Sequence, residues 1–349
     1  MLFFCRRGTY FQKELSKIEP YFVGIILEEF VMKRSVWFAV IIMMILGSIG
    51  CGSKERETWV VTCPWAETGV AAKVNEKTSA KAEEVSKQFI LEPIVKKGDI
   101  STVNEWFAGC DAQSKELVFA GEGMFAIAPT MNPDSLEFNY DDFTFVENLY
   151  SSIFVLSAKA DLDLHSPIDV QMYMTEGKTV KVAVNGNAGS EGFLTYAFFG
   201  SMSHEDDIEL VICSSADAAA KEVASGRADF AVSHQSQILE AYESGKVTII
   251  GAFDGEDITE GPFAGVEGLG KYGYPHFRNR CFVMAPKGIG AGSSRLLKSM
   301  YDKILEDKEI IAFYDDMMIE IDPMTEQEVR EHLDSVKKIV EGYRSFFQE

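Results

Sequence analysis

Short β-branched or aromatic runs alternate with longer helix-forming ones from residue 58 to residue 347, and this rhythm limits the fold more than any other feature. Residues 58–62 read as a strand leaving into a loop at Cys63-Pro64. A helix is predicted over 70–89, a strand over 91–95, a helix over 102–110 and a strand over 117–120 that stops at Gly121-Glu122-Gly123. The second half repeats the rhythm, with strands at 180–184, 208–213, 230–232, 247–252 and 280–285 and helices at 190–199, 217–225, 238–244, 293–306 and 326–347. The Gly- and Pro-bearing tract 255–275 reads as loop. Alternation of this kind implies an α/β fold with parallel, doubly wound sheets. Ligands bind such sheets beyond the carboxyl ends of the strands, which places function in the loops after Thr62, Ala120, Val184 and Val211.

A chain of 349 residues is long enough for two α/β lobes. Its 54 acidic residues against 33 basic ones, a net charge of −21, argue against a nucleic-acid partner. An anion site in so acidic a chain has to rest on backbone N–H groups and helix N-termini. The cysteines, Cys5, Cys51, Cys63, Cys110, Cys213 and Cys281, show no spacing suited to zinc, so neither metal nor cofactor is expected. They leave open buried thiols or one bridge.

The N-terminus carries an address. Met32-Lys33-Arg34-Ser35 precedes an apolar run over 36–46, then Gly47-Ser48-Ile49-Gly50-Cys51 and a polar turn. Residues 32–51 therefore read as a signal peptide, its apolar run well short of a membrane span. Ser48 and Gly50 before Cys51 resemble a bacterial lipobox, which implies lipidation of Cys51 and anchoring outside the cytoplasmic membrane. Leucine is usual where Ser48 stands, so ordinary cleavage or an uncleaved anchor stays open. Residues 1–31 are either the product of a start codon placed too early or a genuine extension.

Three stretches, Cys63-Pro64-Trp65-Ala66, Asp142-Phe143-Thr144-Phe145-Val146-Glu147 and Asn185-Gly186-Asn187-Ala188-Gly189-Ser190, occur in an order that resembles the substrate-binding proteins of tripartite tricarboxylate transporters. Gly226-Arg227-Ala228-Asp229, Glu243-Ser244-Gly245-Lys246-Val247 and Ala285-Pro286-Lys287-Gly288 extend the likeness over roughly residues 57–345. The resemblance implies a two-lobed, type II-like periplasmic-binding-protein fold, with lobe one over 57–155 and 253–349, lobe two over 156–252 and a ligand cleft between them. It implies a non-enzymatic receptor for a small organic acid, with large and small membrane transporter subunits as partners. In that family backbone amides of the loops after the first strand of each lobe hold a carboxylate; here these loops are Trp65, Ala66, Glu67, Thr68 and Gly69, and Asn187, Ala188, Gly189 and Ser190. Ser190 opens a predicted helix that it can cap. The chain departs from the pattern by keeping one glycine, Gly69, in the first loop, by placing Ala72 where an acid is expected, and by replacing a Gly-rich stretch with Lys96-Lys97-Gly98-Asp99-Ile100-Ser101.

Single residues carry two readings each. Trp65 either stacks on a ligand or packs at a strand end. Glu67 either repels a carboxylate or binds a ligand amine. Glu122, between Gly121 and Gly123, is a solvated loop acid or a cleft acceptor. Ser214 and Ser215 cap a helix or touch the ligand, and Asp229 caps local backbone or lines the site. Two other jobs compete with transport: a sensor or scaffold of the same fold, and a serine hydrolase in which Ala188-Gly189-Ser190-Glu191-Gly192 approximates the nucleophile elbow.

Overall fold

The computed structural model describes residues 55–185, 189–202 and 207–344, of which Arg56 onward form one compact unit with its own hydrophobic cores. The signal segment, Cys51, Asn187 and Ala188 lie outside the described residues. Among those described, no helix is long and apolar enough to cross a membrane, and Cys63, Cys110, Cys213 and Cys281 are free thiols.

Lobe one opens with β1 (Glu57–Cys63), whose Trp59, Val61 and Cys63 are buried. Helix α1 (Val70–Val85) follows; it ends at Ser86, whose hydroxyl accepts the N–H of Phe89 at 3.0 Å and turns the chain into β2 (Phe89–Val95). The helix is therefore shorter than its Ala- and Lys-rich composition predicts, because a serine-anchored turn ends it. Then come α2 (Ile100–Gly109), β3 (Glu116–Gly121), a helical bend over 123–131 and β4 (Phe143–Ser152). Ile153 alone separates β4 from β5 (Phe154–Lys159), which belongs to the second sheet.

Lobe two continues through α3 (Pro167–Thr175), β6 (Val180–Asn185), α4 (Ser190–Gly200), β7 (Ile208–Cys213), α5 (Ala216–Ala224), β8 (Phe230–His234), α6 (Gln235–Glu243) and β9 (Val247–Ala252). The chain returns to lobe one at β10 (Asn279–Pro286) and ends with α7 (Ala291–Leu305), α8 (Lys308–Met317) and α9 (Glu326–Tyr343). A Thr325–Glu328 capping box starts α9, and its buried stripe, Val329, Leu333, Val336 and Val340, repeats at helical spacing.

The sheets are mixed, which corrects the all-parallel expectation. Strand order is β2-β1-β3-β10-β4 in one lobe and β7-β6-β8-β5-β9 in the other. β1 is parallel to β2 and β3, and β6 to β7 and β8. β10 runs antiparallel to β3 and β4, and β5 to β8 and β9. The reason is connectivity: β5 and β10 are the strands on which the chain crosses between lobes, so each enters its sheet from the side opposite to a helix crossover. One apolar cluster runs through both lobes, joining Val118, Met124 and Phe282 to Leu156, Phe198 and Val232.

Candidate functional site

The carboxyl ends of the parallel strands of both sheets converge on one cavity of about 150 Å³. Lobe one contributes Trp65, Ala66, Thr68 and Gly69 after β1, Lys97 and Asp99 after β2, Gly121 and Gly123 after β3, and Arg280 on β10. Lobe two contributes Gly189, Ser190 and Glu191 at the start of α4, Ser214 and Ser215 after β7, and His234 and Gln237 after β8. The two rims approach each other at Gly123, where a Cβ would stand 3.5 Å from Gly189 Cα across the cleft.

Of the two glycines flanking Glu122, Gly121 has a steric basis, whereas a Cβ on Gly123 would make only ordinary contacts. A Cβ on Gly121 would meet the Arg280 carbonyl at 2.6 Å, so only glycine lets β3 lie this close to β10. Glu122 itself is fully buried rather than solvated. Its Oε1 accepts the Ser190 hydroxyl at 3.1 Å across the lobes, and its Oε2 accepts the Arg280 backbone N–H at 3.1 Å. The expected capping role of Ser190 is therefore corrected: Gly189 is the N-cap of α4, and the Ser190 side chain is spent on Glu122. His332 stands behind, with Nε2 3.6 Å from Glu122 Oε2 and Nδ1 accepting from Arg280 at 3.0 Å. Arg280 also donates to Asp322 at 2.7 Å, so its charge is committed away from the cavity.

Trp65 lines the cavity half-buried, its ring edge-on to Phe119 at 6.5 Å. Glu67 does not line it; it stands exposed on an outer groove with Thr68, Ser214, Asp217 and Lys221. Ser215 does both of its jobs, lining the cavity and capping α5 by accepting the Ala218 N–H at 3.2 Å. Asp229 is removed from the cleft: at the start of β8 it accepts the Lys181 N–H at 2.7 Å and pairs with Lys159 at 2.9 Å.

Asp99, Glu191 and His234 are among the lining side chains not singled out from sequence. Burial pushes the Asp99 carboxyl up to about 6, an effect the neighbouring Lys97 opposes. Half-buried Glu191 is pushed up to about 7 by loss of solvent, and the charges of Asp99 and Glu122 act in the same direction. Burial lowers His234 to about 4, aided by the charge of Lys73, which keeps the ring neutral. The ring Nδ1 accepts the Ser236 N–H at 3.2 Å and N-caps α6, so the proton sits on Nε2, which has no partner among the described residues. Asp99 and His234 follow β2 and β8, so the strand-end rule that located the other loops reaches them when it is applied to every parallel strand.

No family model and no curated protein matches the sequence. Solved structures do share its fold. MatC from Rhodopseudomonas palustris with bound malate superposes with a TM-score of 0.69 at 17% identity, over 84% of this chain and 100% of that one. A second R. palustris protein with adipate gives a TM-score of 0.72 at 15% identity, over 84% and 98%. The periplasmic binding protein BugD gives 0.69 at 14% identity, over 84% and 97%. The chain thus has the two-lobed α/β fold of periplasmic solute-binding proteins.

Proposed function

We propose that this chain is an extracytoplasmic receptor of the tripartite tricarboxylate type, which captures a small organic acid between its lobes and presents it to large and small membrane transporter subunits. The observation that carries the reading is the cavity itself, built from strand-end loops of two sheets that the chain joins only through β4–β5 and the segment leading to β10. A ligand touching both rims favours the closed arrangement by its differential affinity for it. The signal-like residues 32–51 and Cys51 support export and a lipid anchor. Likeness in fold to proteins holding malate and adipate supports a carboxylate ligand.

A receptor needs no chemistry on its ligand, and the arrangement around Ser190 agrees with that. Its hydroxyl donates to a carboxylate, with His332 on the far side of that carboxylate, so the acid occupies the place an imidazole takes in a hydrolytic triad. The test is thermal unfolding of the purified chain against a panel of organic acids. Binding at a hundred times the dissociation constant adds about 2.7 kcal/mol, a visible rise in Tm. A panel in which no acid raises Tm overturns the receptor reading.

A further inference from the structure

The N-terminus of α4 is not an empty anion seat. The Glu191 carboxylate folds back onto its own backbone N–H, and its Oε2 lies 3.6 Å from the position of a Cβ on Gly189. An incoming carboxylate meets a resident one there. Across the cleft Asp99 lines the same cavity from lobe one, close enough for its charge to act on Glu191. Asp99 is the N-cap residue of α2, yet its side chain does not cap the helix, and its φ of 48° is a strained value for a residue with a Cβ. Two carboxylates brought toward each other from opposite lobes oppose closure unless one holds a proton or a cation lies between them.

The acidic pair by itself would be a charged lip. A second observation of a different kind is His234, 3% exposed, lining the cavity with a protonated Nε2 and no hydrogen-bond partner among the described residues. A buried donor left unmade is costly, and it is satisfied by an acceptor atom brought from outside. Lys97, beside Asp99 on the same rim, adds a second donor with a full charge. The cavity thus offers acceptors for a cation and donors for an anion side by side.

We propose that the ligand is a zwitterionic, amine-bearing organic acid, whose ammonium lies between Asp99 and Glu191 and whose carboxylate accepts from His234 Nε2 and Lys97. This rests on the receptor reading and narrows it to a ligand class. The test compares matched pairs by titration calorimetry and thermal unfolding: L-glutamate with glutarate, L-aspartate with succinate, L-norvaline with pentanoate. In at least one pair the amine-bearing member is expected to bind roughly tenfold or more tighter than its counterpart. In Asp99→Asn and Glu191→Gln that preference is expected to collapse toward parity while cooperative unfolding is kept. Deaminated acids that bind as well as their amine-bearing partners in every pair that binds overturn the ammonium site and leave the receptor standing. Silence from all six compounds overturns both. Should either variant fail to unfold cooperatively, the wild-type preference within the pairs still decides the question.

Discussion

Lobe one and lobe two carry sheets of the same strand order and the same pairing senses, yet their rims differ in how much room they leave. In lobe one the rim is clamped: Gly121 lies against the Arg280 backbone, and Glu122 is buried and held by that same strand. In lobe two the rim is looser, since a Cβ on Gly189 would make only ordinary contact with a side chain. A hydrogen bond from Ser190 to Glu122 joins the loose rim to the clamped one. Lobe one thus fixes its rim through backbone packing at Gly121, while lobe two leaves room around Gly189.

Substitutions probe how far the two rims differ. The largest effect is expected at Glu122→Ala, which leaves the Ser190 hydroxyl and the Arg280 N–H without their acceptor; chemical denaturation should show a loss of about 3 kcal/mol. Next, Gly121→Ala should cost about 2 kcal/mol, because its Cβ meets backbone at 2.6 Å, whereas Gly189→Ala should stay within about 0.5 kcal/mol. Equal losses from the two alanines would erase the contrast between the rims.

A smaller effect separates the rims by pH. Glu191 is raised to about 7 in the folded chain by burial and by Asp99 and Glu122, so the native state holds a proton that the unfolded state releases nearer 4.5. Stability from this group is present below 4.5 and lost as pH rises through 7, so the unliganded protein should be more stable at pH 5 than at pH 8. Asp99, raised to about 6 and opposed by Lys97, acts in the same direction over a lower window. Glu191→Gln should flatten the upper part of the curve, a change of about 1–2 kcal/mol measured by Tm against pH. A small stability effect is also expected at His234→Asn, which keeps a helix-capping oxygen but removes the Nε2 donor: stability within about 1 kcal/mol, ligand affinity lower by about tenfold in calorimetry.

Much of this was legible in the sequence, and the exceptions share a cause. β1, β6, β9 and α9 announce themselves through β-branched runs or helical spacing. β4 does not, because it is buried nearly throughout while carrying Glu147, Asn148, Ser151 and Ser152, so it has neither alternation nor an apolar run. Distant partners meet some of those polar groups, such as Lys298 on α7 for Glu147 and the Asp322 carbonyl for the Asn148 amide, while Asn148 Oδ1 and the Ser151 hydroxyl have no partner among the described residues. The antiparallel sense of β5 and β10 was hidden because it depends on where the chain crosses between sheets. In the site, the strand-end rule led to the loops that carry Gly121, Gly123, Ser214 and Ser215, and the family resemblance to Trp65, Gly69, Gly189 and Ser190, all of which line the cavity, while Asp229 belongs to the opposite end of its strand.

Cys63, at the end of β1, and Cys281, on β10, are both buried in the core of lobe one, and burial pushes the Cys63 thiol up to about 12 and Cys281 well above its usual range. Only the thiolate attacks a disulfide or an oxidant, and burial disfavours the thiolate of both cysteines. A chain built this way can cross an oxidising compartment with unpaired thiols and still resist mixed-disulfide formation, with shelter from solvent standing in for a crosslink.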